Sequence, residues 1–120
     1  MKSVVSILGT LLFLSSCNYR LVKNPKQFNS SPSYQTIREQ IFKPSCLRCH
    51  SGDDAAMGVD LSNYSTIINS GLEVVIPKEP LNSTLYLNVQ SGRMPPDGPR
   101  LSDAEIKIIF DWISAGAREN

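Results

Sequence analysis

The segment Cys46-Leu47-Arg48-Cys49-His50 constrains this chain more than any other feature of its sequence. Two thiols separated by two residues can each form a thioether bond with one vinyl group of a haem, and the adjacent histidine can bind the iron. The C-x-x-C-H spacing therefore predicts one covalent haem c, with Cys46 and Cys49 as attachment points and His50 as the proximal iron ligand. Because His50 is the only histidine in the sequence, a second imidazole from the same chain cannot bind the iron.

Three other interpretations of this motif remain open. A structural zinc site needs four ligands, usually in two separated pairs, but the only other thiol is Cys17. A dithiol redox pair is expected beside a βαβ pattern, and no strand-rich segment precedes Cys46. A plain disulfide is possible in an exported protein, but it leaves His50 without a role. Haem attachment is the interpretation that uses all three residues.

Residues 1–16 have the pattern of an export leader. Lys2 gives a positive start, and residues 4–14 form an apolar stretch that is too short to span a bilayer. The stretch ends in L-S-S followed by Cys17, which resembles the lipobox of bacterial lipoproteins, where the cysteine is lipidated. The alternative is an ordinary secretory signal in which Cys17 is incidental.

Lipidation at Cys17 predicts an anchor in the bacterial cell envelope, because each buried CH₂ of an acyl chain contributes about 0.8 kcal/mol. The anchored domain would face the periplasm or lie on the cell surface. Asn18 follows the cysteine where an aspartate would suggest inner-membrane retention, so by resemblance the outer membrane is favoured. With either kind of leader, the C-x-x-C-H thiols lie outside the cytoplasm, where bacterial haem c maturation takes place.

The rest of the chain divides into a tether and one domain. Residues 17–32 are polar, contain two prolines and lack an apolar period, so they predict a lipidated N-terminus with a flexible tether; a structured arm that packs on the domain is the alternative. Residues 33–120 form the predicted domain. Lys and Arg number 12 against 11 Asp and Glu, and loss of Lys2 with the leader balances them. Nothing resembles a basic nucleic-acid face.

Apolar periodicity in residues 33–120 predicts an all-α domain of three to five helices with long loops. Tyr34, Ile37 and Ile41 recur at helical spacing, and Pro44 is expected to end that helix before the C-x-x-C-H segment. Two short helical segments are predicted at residues 61–68 and 81–89. The second of these would carry Leu85, Tyr86 and Val89 on one side.

The last helix has the strongest signals. Ser102 and Glu105 form a capping box, and Gly116 lies where a left-handed C-cap is expected. An apolar stripe follows the cap: Ile106, Ile109, Phe110 and Ile113. Trp112 is expected at a helix crossing, against a porphyrin, or simply in the core. Because a domain this small has little material for a core, a buried haem would supply apolar surface, and the haem-free chain is expected to be weakly folded.

Elimination leaves two candidates for a distal iron ligand. Met1 leaves with the leader, so Met57 and Met94 remain. From Met57, only seven residues past His50, the chain would have to round the haem edge almost fully extended, at about 3.3 Å per residue. Met94 is followed by two prolines, which stiffen the backbone beside the sulfur. Met94 is therefore the predicted ligand; its alternative role is to fill a gap in the core.

These segments together resemble the mono-haem class I cytochromes c, in particular short bacterial domains. The matching stretches are Ile41 to Gly52 (I-x-x-P-x-C-x-x-C-H-S-G), Gly58 to Ser62 (G-x-D-L-S), Gly92 to Pro96 (G-R-M-P-P) and Leu101 to Ala117 (L-S-x-x-E-I-x-x-I-x-x-W-I-x-x-G-A). The resemblance implies thioether links at Cys46 and Cys49, axial ligands His50 and Met94, and a first helix packed across the last. Between residues 53 and 75 it matches only at Gly58 to Ser62, so the pocket walls there stay unassigned.

The expected function is electron transfer by a membrane-anchored mono-haem cytochrome that exchanges single electrons with redox partner proteins outside the cytoplasm, as a monomer. Two axial ligands leave no open iron position, and no further histidine exists for acid–base work, so the chain is not expected to be an enzyme. The alternatives are a haem enzyme, a gas-binding domain or a sensor with an open or weakly ligated sixth position.

Overall fold

The computed structural model describes residues 32–120, and this part of the chain is helical without any strand. The predicted leader (residues 1–16), Cys17 and the predicted tether up to residue 31 lie outside the described residues. Within residues 32–120, no helix combines the length and apolar character needed to cross a membrane.

The first helix, α1, covers residues 34–45 and changes its winding along its length. It begins with an α-helical turn at Tyr34–Ile37, continues as a π-helical segment at Arg38–Phe42 and ends with a turn at Lys43–Ser45. The helix ends before Cys46 as predicted, but Pro44 lies inside its last turn. The wider π-helical turn just before Pro44 gives the proline ring room that a regular α-helix would deny it.

Two short helices follow the C-x-x-C-H segment. Helix α2 covers Tyr64–Ile68 and helix α3 covers Thr84–Gln90, with a 3₁₀ turn at Pro80–Asn82 before it. Leu85 and Val89 are buried on one side of α3, as predicted. Tyr86 is partly buried and also packs against the core, with its ring edge-on to Phe110 and the centroids 5.2 Å apart. At about 100° per residue, Val89 lies between Leu85 and Tyr86 around the helix, so the three share one side, as predicted.

The last helix, α4, covers Asp103–Ser114 and has both predicted ends. The Ser102 hydroxyl accepts from the Glu105 N–H, and the Glu105 carboxylate accepts from the Ser102 N–H, which completes the capping box. Gly116 adopts a φ of +104° and its N–H donates to the Ile113 carbonyl at 2.9 Å, a left-handed termination that favours glycine.

Helices α1 and α3 both pack against α4. At the crossing of α1 and α4, the rings of Tyr34 and Trp112 lie 6.4 Å apart between centroids. Trp112 lies fully buried at this helix crossing, which is one of the places expected for it. The largest almost fully buried apolar side chains lie in α1, α2, α3 and α4: Ile37, Ile41, Phe42, Ile67, Val89, Ile109, Trp112 and Ile113. This core supports one wall of the site described next.

Candidate functional site

The C-x-x-C-H segment is a tight turn fixed to the end of α1. The Cys46 and Leu47 N–H groups both donate to the Phe42 carbonyl, at 2.8 and 2.9 Å, and the Cys49 and His50 N–H groups both donate to the Cys46 carbonyl, at 3.1 and 3.0 Å. Because Phe42 is fully buried, the turn is attached to the rigid core. The three chemically active residues are thereby held by backbone geometry.

The turn opens onto an apolar cavity of about 680 Å³. This volume falls within the range of roughly 300–1,000 Å³ that is usual for cofactor and ligand sites. The cavity is lined by residues from the C-x-x-C-H turn and the loop after it, from α3, and from the proline-rich segment beyond α3: Pro44, Ser45, Cys46, Arg48, Cys49, His50, Ala56, Met57, Val59, Leu61, Val74, Thr84, Leu85, Asn88, Val89, Met94, Pro95, Pro96, Asp97, Gly98 and Pro99.

All four residues predicted to hold the cofactor line this one cavity. Cys46 is partly buried and Cys49 is exposed, and both thiols are free. Met94 is partly buried, although it lies 44 residues beyond His50 in sequence. Met57 also borders the cavity, but its side chain is 88% exposed. The fold thus brings two thiols, one imidazole and one sheltered thioether together around an apolar space.

The imidazole of His50 is oriented by one hydrogen bond. Its Nδ1 lies 3.1 Å from the Val59 carbonyl oxygen, and because a carbonyl only accepts, Nδ1 must carry the proton. In the neutral imidazole, Nε2 is then the nitrogen whose lone pair is available to a metal. A partner on the other ring nitrogen is what metal-bound histidines generally have, and it also raises the basicity of the ligand.

The surroundings of the Cys46 thiol alter its acidity. Burial, with a smaller contribution from the nearby Glu105 carboxylate, raises the pKa of the Cys46 thiol to about 11. Cys46 is therefore almost wholly a thiol at neutral pH, which keeps it from acting as an unprotected thiolate.

The segment that carries Met94 is fixed at its start by the end of α3. The Gly92 N–H donates to the Val89 carbonyl at 3.2 Å, and the Met94 N–H donates to the Asn88 carbonyl at 3.2 Å. Gly92 adopts a φ of +75°, a left-handed conformation that glycine reaches without strain. The backbone can therefore reverse directly after α3 and return Met94 to the cavity.

Several residues of the cavity wall could not be recognised as site residues from the sequence. Val74, Leu85 and Val89 are ordinary apolar side chains that become part of the site only because the fold brings them to it. Among the described residues that line the cavity, the arginine is Arg48.

No group of three or more His, Cys, Asp or Glu side chains within residues 32–120 is arranged to hold a metal ion. The disulfide interpretation has no bond between Cys46 and Cys49.

Comparison with known proteins gives one similarity. The model of the family described as Planctomycete cytochrome C matches residues 46–98, which begin at the first cysteine of the motif and extend past Met94. This match supports a cytochrome c-like domain. No curated protein and no solved structure matches the chain.

Proposed function

We propose that this protein is a membrane-anchored, mono-haem c-type cytochrome that carries single electrons between redox partner proteins outside the cytoplasm. The observation that carries the proposal is that Cys46, Cys49, His50 and Met94 border one and the same apolar cavity. The similarity of residues 46–98 to a cytochrome c family supports the same chemistry.

The residues present fit a covalently bound haem c. Cys46 and Cys49 would attach it through thioether bonds, while His50 Nε2 and the Met94 sulfur would be its axial iron ligands. When bound, the haem supplies one-electron chemistry, with iron alternating between two oxidation states. The chain's own contribution is to fix the His50 ring through the Val59 carbonyl and to exclude water with apolar walls.

The same arrangement supports a carrier rather than an enzyme. Ligation by both His50 and Met94 would leave no open iron position for a substrate, and the chain has no second histidine for proton transfer. We propose that the protein acts as a monomer and that its partners are redox proteins. It is not expected to bind nucleic acid.

The membrane attachment in this proposal rests on the sequence alone. Lipidation of Cys17 after removal of residues 1–16 would place the domain in the bacterial cell envelope, with Asn18 favouring the outer membrane. The tether would then connect the lipid to the cytochrome domain.

The first experiment tests covalent attachment. The full chain is produced with haem c maturation machinery, extracted with acidic acetone and examined by absorbance spectroscopy. We expect the haem to stay with the protein, and a Cys46→Ser/Cys49→Ser variant to lose it. A colourless protein, or one whose haem is extracted by the solvent, would contradict the proposal.

The second experiment tests the distal ligand. We expect Met94→Ala to lose the methionine–iron charge-transfer band of the oxidised protein and to bind cyanide rapidly. Met57→Ala is the matched control, because Met57 borders the same cavity but is 88% exposed, and it should keep the band. Rapid cyanide binding by the unchanged protein would favour an open sixth position and hence an enzyme, gas-binding domain or sensor.

The third experiment tests the anchor. Cys17→Ser should move the haem-containing protein from the membrane fraction to the soluble fraction and abolish labelling by radioactive palmitate. If the unchanged protein, with Cys17 intact, is found in the soluble fraction, the lipid anchor is refuted. The export leader would then stay in the proposal.

A further inference from the structure

One short segment connects the first helix of the domain to His50. We define it as the 59–62 segment, from Val59 to Ser62. Its Val59 carbonyl accepts from His50 Nδ1 at 3.1 Å, and its Leu61 N–H donates to the His50 carbonyl at 2.9 Å. The ring and the backbone of His50 are therefore both bonded to this segment, and its position sets the position of the imidazole.

Helix α1 holds the same segment from the other side. The Tyr34 hydroxyl donates to the Leu61 carbonyl at 3.2 Å, and Arg38 Nε donates to the Ser62 carbonyl at 3.0 Å. Tyr34 and Arg38 are four residues apart, so they lie on one face of the helix. Two consecutive carbonyls of the 59–62 segment are thus bonded to consecutive turns of α1.

Tyr34 is well suited to hold a fixed position. Its side chain is only 5% exposed, its ring lies 5.7 Å from the ring of Tyr64 between centroids, and its N–H donates to the Arg118 carbonyl at 3.2 Å. Burial raises the pKa of the Tyr34 phenol, and the nearby Arg38 guanidinium opposes that effect only in part. The phenol therefore stays protonated and can donate to Leu61 across the whole physiological pH range.

We propose that Tyr34 and Arg38 are positioning residues for His50, acting through the 59–62 segment that carries the acceptor of the imidazole proton. The inference rests on the proposed function, because it takes His50 as the iron ligand. It adds that the strength of the bond from Nδ1 to the Val59 carbonyl, and with it the basicity of Nε2, is set from helix α1. A stronger bond to Nδ1 makes a histidine a better donor to its metal.

The test compares the haem-loaded protein with its Tyr34→Phe and Arg38→Met variants. In the reduced protein, nuclear magnetic resonance follows the exchange with D₂O of the His50 Nδ1 proton and of the Leu61 amide. Loss of one hydrogen bond should speed both exchanges by about fivefold, the factor that corresponds to a typical net hydrogen-bond contribution of about 1 kcal/mol. The reduction potential should rise, because a less basic imidazole stabilises the oxidised iron less.

Ser83→Ala is the matched control. It removes another buried donor to a backbone carbonyl, the 2.9 Å bond from Ser83 Oγ to Glu79, and the bonds of this hydroxyl go to residues 76 and 79 rather than to Tyr34 or the 59–62 segment. We expect it to lower the unfolding temperature and to leave the His50 proton exchange and the potential unchanged. If Ser83→Ala changes these quantities as much as Tyr34→Phe does, general loosening explains them and the proposal is overturned.

The Arg38→Met variant keeps the test decisive if Tyr34→Phe fails to fold. The Arg38 side chain is partly exposed, so its replacement by an unbranched apolar side chain should be tolerated. Unchanged exchange and potential in Arg38→Met and in any folded Tyr34→Phe protein would refute the positioning role while leaving the cytochrome intact. Absence of covalent haem from the unchanged protein would instead refute the proposed function.

Discussion

At the scale of single residues, the site depends on which atoms carry protons. The Val59 carbonyl assigns the proton of His50 to Nδ1, and burial keeps the proton on Cys46. The identity of these residues was evident from the C-x-x-C-H spacing. Their protonation was not, because it depends on a carbonyl nine residues away and on neighbours that the fold brings together.

Cys46 should react slowly in the folded chain before haem attachment. We expect its thiol, isolated in a haem-free Cys49→Ser protein with Cys17 replaced by Ser, to react with Ellman's reagent at pH 8 at least tenfold faster in urea than under native conditions. A pKa raised from 9.0 to about 11 lowers the thiolate fraction by about 100-fold, and the lower intrinsic nucleophilicity of thiolates with a lower pKa offsets part of this difference. The measurement should be made at about 15 °C, where domain stability is usually greatest.

The raised pKa of Cys46 also makes the stability of the haem-free chain depend on pH. Because the folded pKa of Cys46 lies above its unfolded value, the associated stability is fully present below pH 9 and is lost as pH rises through about 11. Cys46→Ser should lessen this alkaline loss. An equal alkaline loss in both proteins would show that Cys46 is not its source.

At the scale of elements, local sequence signals located the helix ends. Ser102 and Gly116 act through hydrogen bonds to their own neighbours, so the sequence predicted both ends of α4 correctly. The first helix ends before Cys46, as Pro44 led us to expect, but the π-helical turn before the proline was not predicted because no sequence pattern marks it here. The sequence placed Tyr86 on the core side of α3, but it could not predict the contact with Phe110, because that ring comes from another helix.

The capping box of α4 should contribute measurably to stability. We expect Ser102→Ala to lower the free energy of unfolding of the haem-loaded protein by about 1 kcal/mol, because it removes the acceptor for the Glu105 N–H. Ser114→Ala, at the other end of the same helix, is the control and should change stability by less than about 0.5 kcal/mol. Equal effects in chemical denaturation would argue against a specific capping contribution.

At the scale of the whole molecule, the domain is organised around a space that protein atoms alone do not fill. The motif residues that border this space could be named from the sequence because thiols, imidazole and thioether have distinctive chemistry. The wall residues could not be named in this way, because the side chains of Val74, Leu85 and Val89 are of the same types as those of ordinary core residues. The family resemblance expected from the sequence matched residues 53–75 only at Gly58 to Ser62, so it did not assign the pocket walls there, which include Val74.

Filling this cavity should govern global stability. We expect the haem-loaded protein to unfold at a temperature at least about 10 °C higher than the haem-free chain, which for a domain of this size corresponds to about 2 kcal/mol. The physical reason is that the apolar walls of a cavity of about 680 Å³ gain contacts only when the group is bound. Circular dichroism during heating provides the measurement, and equal unfolding temperatures would show that the walls gain nothing from the haem.

The contact between Tyr34 and Arg118 has a consequence for how this domain could be connected to others. The Tyr34 N–H and Trp112 Nε1 both donate to the Arg118 carbonyl, so the polypeptide enters and leaves the domain at almost the same point. A few glycines would be enough to join residue 120 to residue 33, and a circularly permuted chain opened at an exposed loop should retain the fold. For the same reason, the unit could be inserted into a surface loop of another protein without forcing the host's two attachment points apart.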